Sequence, residues 1–473
     1  NPPWVNWESL PEDYRNALLP INHNVYKLFL HSGLAARHGA AKIDLSSLMF
    51  YVSADHYLKP DGKLCFVITQ TVFKTSGGSK GFRQFYIHPS KTPLHIEQVD
   101  DFVELQPFDS ATNRTALVSV IKGKKTVYPL PYLYWRKSIK GSIDIDLTFD
   151  EVTKITTRSQ LYAQPVDPSD ELSSWITARK KALTSISRVI GKADYEAHEG
   201  ANTGGANGVY WIDVQKGNNG KLKISNLFDS GRRKVDAVTM EIEPDFIFPL
   251  LRGREIKRWN AKPEHCIIVP QDFNNPKTAF DETLMIKTYP KTYEYFSRMK
   301  AALDERKSQV IRDLADAQAF YFIYSVKDYT FAPYKVVWKE QSSELQCAVV
   351  SSFNHKVIIP DHKLMLVAFD NESESHYLCS VLNSTPSRFV VASYAINVQL
   401  GPHLLDNIKI PKYDQKNEIH RELARLSRQC HEKVAAGISV TDLEEQIDEL
   451  AAELWGLSTE ELKDIKDSLE EIR

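Results

Sequence analysis

The stretch Leu58-Lys-Pro-Asp-Gly-Lys-Leu-Cys-Phe-Val-Ile68 joins a turn to a buried strand. Its Lys59-Pro60-Asp61-Gly62 segment is a turn signal, and it ends the helix that apolar spacing predicts over Leu45–Leu58. The apolar run Leu64–Thr69 that follows is typical of a strand covered on both faces. A helix, a tight turn and a buried strand in this order predict an α/β sheet.

The same alternation continues on both sides of this unit. Apolar spacing predicts another helix from Asn22 to about Ala36, and Gly81–Ile87 is expected to open a further one. Val99–Leu105 and Ala116–Ile121 predict two more strands. We therefore expect an α/β fold in residues 1–150, one that begins at a loop following a strand outside this sequence.

The pattern changes after residue 190. Residues 170–190 have apolar positions at helical spacing and predict a connecting helix. Short β-rich runs then predict a mixed α/β domain: Val209–Val214, Cys266–Val269, Lys335–Trp338, Ala348–Val350 and Lys356–Ile359. Later helices are predicted over Thr292–Arg312, Asn417–Lys433 and Val440–Arg473. The last is expected to start with a capping box of Thr441 and Glu444.

Composition excludes several protein classes. With 42% hydrophobic residues in 473, the chain can build large cores, and no apolar run approaches the roughly 18 residues of a membrane helix. The five cysteines are scattered and form no CxxC pair, which fits a reducing cytoplasm. The net charge is −2, but residues 413–473 hold 8 basic and 16 acidic residues. The rest of the chain is therefore basic overall, and could face an anion.

The first residue also matters. Asn1 is not an initiator methionine, and it is not one of the small residues that normally follow a removed methionine. The opening residues also lack the basic and apolar regions of a signal peptide. We expect this chain to be the later part of a longer one, or one piece of a split protein.

Asn1-Pro2-Pro3-Trp4 suits methylation of an exocyclic amine conjugated to a ring. Such a nitrogen is a poor nucleophile because its lone pair is delocalised. The Asn1 side-chain oxygen and the Pro2 carbonyl would accept its two hydrogens and favour a pyramidal nitrogen, with the Pro2 backbone fixed by its ring. Trp4 offers a flat face on which an extruded base can stack. The alternative is a turn with an aromatic anchor.

Later stretches agree with the catalytic interpretation, in this order: Leu58–Ile68, Phe108-Asp-Ser-Ala-Thr112, Gly200–Tyr210, Pro249–Trp259, Leu382–Ser384 and Ile447–Leu457. With them the sequence resembles the gamma-type DNA N6-adenine methyltransferases. The resemblance is to the large type IIG and related phage-defence enzymes, which fuse a methylase to a target-recognition domain. Leu58–Ile68 is similar to motif VI of that family. Phe108 matches the aromatic residue of motif VIII, which contacts the flipped adenine.

The resemblance implies a fold and a division of the chain. Residues 1–150 would be the C-terminal part of a Rossmann-like class I methyltransferase domain, and 151–194 a helical connector. Residues 195–412 would be a mixed α/β target-recognition domain, and 413–473 a C-terminal helical segment.

The resemblance also implies an activity. A methyl group would pass from S-adenosylmethionine to a flipped adenine of double-stranded DNA, in restriction-modification or phage defence. Asn1, Pro2 and Trp4 would be catalytic, Trp4 and Phe108 would bind the base, and no metal is expected. The family's Gly-rich motif I precedes its catalytic motif. We therefore expect most of the cofactor site, and any nuclease, on an N-terminal half or a partner subunit.

A basic cluster suggests a DNA-binding surface. Residues 221–262 contain ten basic and six acidic residues, as a phosphate-contacting face requires. An ordinary solvated face is the alternative. The candidate DNA contacts are Arg232, Arg233, Lys234, Arg252, Arg254, Lys257 and Arg258.

Other patterns are weaker. Pro244-Asp245 with Glu255-Ile256-Lys257 fits the spacing of a metal-dependent nuclease, but these residues overlap the segment that the resemblance already explains. Gly200–Gly208 is either a mobile loop near DNA or a hairpin connection. Trp338 and Lys339 lie in a predicted strand, and we expect them to have a structural role and not to recognise a base. The apolar stripe of Thr441–Arg473 favours packing on the protein itself over a partner.

Three functional classes stay open at this point. The first is a DNA adenine methyltransferase. The second is a methyltransferase acting on RNA or on a protein glutamine, since both also use an Asn-Pro-Pro-aromatic motif. The third is a non-catalytic DNA-recognition subunit or fragment.

Overall fold

The computed structural model describes residues 1–30, 44–75, 77–108, 113–231, 235–394 and 400–472. These residues form two compact units. Unit 1 contains the described parts of Asn1–Ile190, Phe389–Asn397 and Leu457–Arg473, and unit 2 those of Gly191–Arg388 and Val398–Gly456. Both units mix helices and sheets, which confirms the α/β class. The predicted functional division at residues 150, 194 and 412 stays a prediction.

The α-helices are α1 Glu12–Pro20, α2 Leu45–His56, α3 Thr71–Lys74, α4 Phe149–Lys154, α5 Lys180–Ile186, α6 Asn207–Tyr210, α7 Glu282–Thr288, α8 Pro290–Arg298, α9 Lys300–Asp304, α10 Gln309–Ala317, α11 Glu372–Asn383, α12 Thr385–Tyr394, α13 Glu418–Ala435, α14 Thr441–Leu454 and α15 Thr459–Ile472. Among the described residues, no helix combines the length and the apolar character needed to cross a membrane.

The strands are β1 Lys63–Thr69, β2 Tyr86–Ile87, β3 Thr92–Asp101, β4 Thr115–Lys122, β5 Leu130–Lys137, β6 Thr156–Pro165, β7 Trp175–Ala178, β8 His198–Glu199, β9 Trp211–Lys216, β10 Leu222–Asn226, β11 Thr239–Ile242, β12 Ile247–Leu251, β13 Ile256–Lys257, β14 Asn260–Ala261, β15 His265–Ile268, β16 Gln271–Asp272, β17 Asn275–Ala279, β18 Tyr334–Lys339, β19 Cys347–Val350, β20 Ser352–Phe353, β21 Lys356–Val357, β22 Ile359–Pro360 and β23 Leu364–Phe369.

Unit 1 is built on one sheet with the strand order β1-β4-β3-β5-β6-β7, and β2 pairs with β3. Strand β4 lies between β1 and β3 and is antiparallel to both, so β1 and β3 run in the same direction. Their carboxyl ends, Thr69 and Asp101, consequently lie at the same edge of the sheet. The sheet as a whole is mostly antiparallel, because β3 and β5 are the one parallel pair along this strand order.

The predicted helix over Leu45–Leu58 and the predicted strands Leu64–Thr69 and Ala116–Ile121 are confirmed as α2, β1 and β4. The strand predicted over Val99–Leu105 ends at Asp101 and begins earlier, at Thr92.

Two helix predictions in unit 1 are wrong. The first helix is Glu12–Pro20, continued by one π turn over Ile21–Val25, and residues 26–30 are not helical; residues 31–36 lie outside the described residues. A side chain on Gly81 would collide with the carbonyl of Leu28, which shows how closely two backbone segments pass here. Gly81 itself belongs to a 3-10 segment, Gly77–Gln84, followed by β2.

The predicted connecting helix over residues 170–190 is only half correct. Its first part is strand β7, which pairs with β6, and only Lys180–Ile186 is α-helical. Trp175 is fully buried and stacks on Phe73 with ring centroids 4.8 Å apart. The apolar residues of this segment therefore complete the core of unit 1 instead of bridging two domains.

Unit 2 contains a six-stranded sheet of order β11-β10-β9-β15-β12-β22 and a four-stranded sheet of order β19-β18-β23-β8. Three of the five predicted strand runs fall on strands, Lys356–Ile359 is split between β21 and β22, and Val209–Val214 is only partly a strand, because Val209 and Tyr210 belong to α6. Thr292–Arg312 is not one helix but parts of α8, α9 and α10, of which α8 and α9 join the core of the six-stranded sheet through Tyr295, Phe296 and Leu303.

The C-terminal stretch is two helices instead of one. Helix α14 ends at Leu454 and α15 begins at Thr459, and Gly456 between them has a positive φ of +64°, a conformation that glycine adopts readily. The predicted capping box is wrong: the N-cap residue is Val440, and Glu444 instead accepts hydrogen bonds from Arg258 and Trp259. Both helices bury their apolar stripe in the described structure, which confirms the packing prediction.

Candidate functional site

The Asn1–Trp4 segment lies beside strand β1. Asn1 is exposed, Pro2 is buried and Trp4 is half-buried. The indole Nε1 of Trp4 donates a hydrogen bond of 3.3 Å to the carbonyl oxygen of Val67, two residues before the end of β1. The segment is thereby attached at the carboxyl edge of the sheet, while the side chain of Asn1 faces solvent.

Phe108 contacts Trp4, although the two residues are 104 positions apart in the sequence. Their ring centroids are 5.0 Å apart, and the rings meet edge to face at 67°. The two side chains that the sequence proposes for base binding therefore lie together. Residues 109–112, the rest of the predicted motif VIII, lie outside the described residues.

A second contact fixes the backbone of the segment. Asn113 donates a hydrogen bond of 3.3 Å from Nδ2 to the carbonyl oxygen of Trp4. Asn113 thus lies beside the Asn1–Trp4 segment. The orientation of the Trp4 carbonyl is set by this bond.

Asp44, which the sequence did not single out, and its neighbour Leu45 bind Val5 and Asn6, the two residues that follow the Asn1–Trp4 segment. Val5 accepts a backbone hydrogen bond of 2.9 Å from Leu45, and Asn6 forms an isolated antiparallel bridge with Asp44. The Asp44 carboxylate accepts bonds from the Ser46 backbone and from the Thr69 hydroxyl. Burial raises its pKa, and these hydrogen bonds act in the opposite direction. Its position just before the predicted helix is the signal of an N-cap.

A buried polar cluster lies at the same sheet edge. Gln70 donates to Asp101 at 2.8 Å, and the Tyr132 hydroxyl also donates to Asp101. Lys74 donates to the Thr177 hydroxyl at 2.6 Å. Burial lowers the pKa of Lys74 to about 7 and raises that of Asp101. No sequence signal distinguishes these residues from ordinary surface polar residues.

The predicted DNA-contacting arginines in unit 2 do not share one environment. Arg252 is buried, and its guanidinium binds Glu255 at 2.7 Å through Nε and Glu264 at 3.2 Å through Nη2. Only 2% of the Glu255 side chain is exposed. Arg258 is also mostly covered and binds Glu444 at 2.9 Å. Both side chains are engaged inside the fold, which differs from the exposed cationic face that the sequence predicts.

Arg254 and Lys257 keep the expected exposure. The Arg254 side chain is 63% exposed and lies 3.4 Å from Glu264. Lys257 is exposed and makes no ion pair with the residues that the structure describes. Arg232, Arg233 and Lys234 lie outside the described residues. DNA contact by any member of the cluster stays a prediction.

The nuclease pattern is not supported by the geometry. Glu255, its central carboxylate, is occupied by Arg252 through both the side chain and the backbone. No group of three or more His, Cys, Asp or Glu side chains suited to a metal ion occurs within the described ranges.

The Gly200–Gly208 loop is not a hairpin connection, because β8 pairs with β23 whereas β9 pairs with β10 and β15. Its first residues are fixed: a side chain on Gly200 would lie 2.2 Å from the Asp361 carbonyl. Gly204 and Gly205 line a cavity of about 750 Å³.

Trp338 is fully buried and donates a hydrogen bond from its indole nitrogen to the carbonyl oxygen of Leu400, which confirms its structural role.

The cofactor that the resemblance implies, S-adenosylmethionine, has no complete site among the described residues. The one Gly-rich loop does not fit it, because the backbone N–H groups of Gly200 and Ala201 are bonded to Leu364 and Pro360. At the edge of unit 1, the oxygens of Asn1 and Pro2 are of the kind that accepts hydrogen bonds from an amine. The rings of Trp4 and Phe108 are of the kind that packs on a planar ring.

No protein-family model matches this chain. Over 168 residues it is 23% identical to the type II methyltransferase M.NspV of a Nostoc species, covering 35% of this chain and 32% of that protein. Its fold is similar to that of the type IIL restriction-modification enzyme MmeI, solved in complex with DNA. That match has a TM-score of 0.54 and 11% identity, and covers 100% of this chain and 56% of MmeI.

A nuclease-deletion mutant of the type ISP restriction-modification enzyme LlaGI gives a TM-score of 0.39 at 11% identity, covering 91% of this chain and 34% of that one. This similarity is too low to establish a shared fold. The chain thus spans about a third of the curated relative and just over half of MmeI. The comparisons thus show a weak sequence similarity to a type II methyltransferase and a fold similar to that of a restriction-modification enzyme.

Proposed function

We propose that this chain is the catalytic and target-recognition part of a site-specific DNA adenine N6-methyltransferase of a restriction-modification or phage-defence system. The observation that carries the proposal is the contact between Trp4 and Phe108 at the carboxyl edge of β1, directly beside the Asn1-Pro2 acceptors. The similarity to a type II methyltransferase supports it independently.

The chemistry proposed for unit 1 is the preparation of a poor nucleophile. The Asn1 side-chain oxygen and the Pro2 carbonyl accept hydrogen bonds from the two hydrogens of the adenine amine. With both hydrogens held, the nitrogen becomes pyramidal and its lone pair is released from the ring. Fixed acceptors of this kind lower the barrier without reorganising during the reaction.

The aromatic pair has a different task. An adenine inside a duplex is inaccessible, so it has to leave the helix before its amine can be methylated. Trp4 would stack on the extruded base, and Phe108, which meets Trp4 edge to face, would restrict how far the indole can turn. S-Adenosylmethionine supplies the methyl group as an electrophilic sulfonium, and its site is expected mainly on residues outside this chain.

Unit 2 is proposed to recognise the DNA sequence. The exposed cations Arg254 and Lys257 would contact phosphates, whereas Arg252 and Arg258 would hold the fold of the same region. Phosphate contacts orient a protein on DNA, and base contacts specify the sequence.

Product identification tests the proposal. Protein expressed from the complete gene is incubated with labelled S-adenosylmethionine and, separately, with duplex DNA, folded RNA and glutamine-containing peptides. We expect N6-methyladenine from DNA alone in nucleoside mass spectrometry. Label in RNA or glutamine would identify the other methyltransferase class. Sequence-specific DNA binding without transfer to any substrate would indicate a recognition subunit.

A further inference from the structure

Asp44 joins three elements at the proposed site. It precedes α2, it forms a backbone bridge with Asn6, and its carboxylate reaches Thr69 at the end of β1. The side chain is buried, with 5% of the residue exposed. A carboxylate is held in such a place only when its oxygens are hydrogen-bonded.

The two carboxylate oxygens have separate roles. Oδ1 accepts the Ser46 N–H at 2.9 Å, which is the ordinary N-cap bond of α2. Oδ2 accepts the Thr69 hydroxyl, a bond that no helix cap requires. The helix start is thereby fastened to the carboxyl end of the strand whose Val67 carbonyl holds Trp4.

The Asn1–Trp4 segment is therefore held between two supports. One is the bond from the Trp4 indole to Val67 of β1, and the other is the bond from Leu45 to the carbonyl of Val5. The second support is held relative to β1 by the bond from Thr69 to Asp44 and by the packing of α2 in the core of unit 1, where Phe50 and Ile68 belong to one buried cluster. A displacement of about 1 Å in a reacting group can cost about 10²-fold in rate.

We infer that Asp44, through its bond to Thr69, is a positioning residue that sets where the Asn1 and Pro2 acceptors sit relative to Trp4. The inference rests on the proposed function for its catalytic consequence. Its structural part, the coupling of Thr69 to the Val5–Leu45 bond, stands on the contacts alone.

Thr69→Val removes the hydroxyl while keeping the size of the side chain and leaving the helix cap untouched. Thr69→Ser is the matched control because it keeps the hydroxyl. In protein expressed from the complete gene, we expect Thr69→Val to lower kcat about 10- to 100-fold with an unchanged KM for DNA. Thr69→Ser should stay within about threefold of wild type, by the same reasoning.

Asp44→Ser provides a second test. Serine is a good N-cap residue but is too short to reach Thr69, so the cap of α2 is kept while the bond to Thr69 and the bond from the Ser46 hydroxyl are lost. We expect a loss in kcat at least as large as for Thr69→Val. Because both variants remove the bond between Asp44 and Thr69, the double variant should be no slower than Asp44→Ser alone.

Amide hydrogen exchange at Leu45 tests the coupling without any activity. We expect faster exchange at Leu45 in Thr69→Val and wild-type exchange in Thr69→Ser, with the rest of β1 unchanged. Should the wild type methylate nothing, the proposed function fails, and this measurement alone decides the positioning role.

Three results would overturn the inference. The first is unchanged Leu45 exchange in Thr69→Val. The second is a lower melting temperature in Thr69→Val with wild-type kcat, which indicates a purely structural bond. The third is equal loss of kcat in Thr69→Ser and Thr69→Val, which indicates packing of the threonine methyl group.

Discussion

The candidate functional residues of the two units have different surroundings. In unit 1, Trp4 and Phe108 lie in contact despite their separation along the chain. In unit 2, two of the predicted DNA-contacting arginines, Arg252 and Arg258, are bound to carboxylates inside the fold. The first prediction rested on the chemistry argued for Trp4 and on a family resemblance for Phe108, whereas the second rested on local charge density. Charge density does not distinguish a solvent-facing cation from one held by an internal carboxylate.

The largest expected effect concerns Arg252. Arg252→Ala leaves the buried Glu255 carboxylate with only the longer contact to Arg254, and breaking a buried pair typically lowers the free energy of unfolding by about 3–5 kcal/mol. Arg254→Ala is the matched control, because the side chain is exposed and its longer pairs with Glu255 and Glu264 contribute about 1 kcal/mol at most. Denaturant unfolding of both variants measures the difference. Equal stabilities would show that the buried pair has no structural role.

The next effect concerns capture of the base. Trp4→Ala should weaken binding of DNA with an extruded target base by about 1–3 kcal/mol, the usual contribution of aromatic stacking. Trp4→Phe keeps a ring and loses the bond to Val67, so it should bind better than the alanine variant. The fluorescence of 2-aminopurine at the target position reports the stacking. Identical signals from wild type and Trp4→Ala would contradict a stacking role.

The stabilities of the two units should also respond differently to acidification. In unit 2, burial lowers the pKa of His376 to about 3 and that of His431 to about 4. Both are neutral in the folded state, so below about pH 6.5 each lowers stability by about 1.4 kcal/mol per pH unit. Asp361, whose pKa burial raises to about 6, offsets part of this loss. In unit 1, the raised pKa values of Asp44 and Asp101 act in the opposite direction.

Hydrogen exchange at pH 7 and pH 5, corrected for intrinsic rates, tests this difference. We expect protection to fall in helices α11 and α13 of unit 2 and to be kept around β1 and β3 of unit 1. His431→Gln should reduce the pH dependence, whereas a change at the exposed His403 should not. Equal loss of protection in both units would contradict the expected signs.

The smallest effect is the salt dependence of DNA binding. Arg254→Ala and Lys257→Ala should each lower the slope of log K against log salt by about 0.9 and weaken all DNA sequences alike. Arg425→Ala, in an exposed pair with Glu422 on α13, is the control. Fluorescence anisotropy at several salt concentrations gives the slopes. Loss of preference at one base position would identify base recognition instead.

Sequence patterns predicted the elements with strong local signals. The turn at Lys59–Gly62 and the apolar run of β1 predicted a helix, a turn and a strand, all of which the structure contains. Trp175 was misassigned because a fully buried segment is apolar on all sides and fits both strand and helix. Thr441 and Glu444 fitted a capping box, but Glu444 has stronger donors in Arg258 and Trp259.

The supports of the candidate site were beyond sequence reasoning. Asp44 has an N-cap signal, but nothing local indicates that its second oxygen reaches Thr69, 25 residues later. The buried cluster of Lys74 and Asp101 likewise depends on the pairing of distant strands. Such contacts are properties of the folded sheet, whereas Asn1, Pro2 and Trp4, the residues proposed for the chemistry, form a recognisable motif in the sequence itself.

The most direct test of the proposed activity is Asn1→Ala in single-turnover methylation of duplex DNA, with Asn6→Ala as the matched control on the same exposed segment. Asn1→Ala removes one of the two acceptors for the amine, and loss of such a preorganised group typically costs about 10²–10³ in rate. We expect that loss with DNA affinity unchanged, and near-wild-type turnover for Asn6→Ala. Methylation by Asn1→Ala at the wild-type rate would contradict the assignment of Asn1-Pro2-Pro3-Trp4 as the catalytic segment.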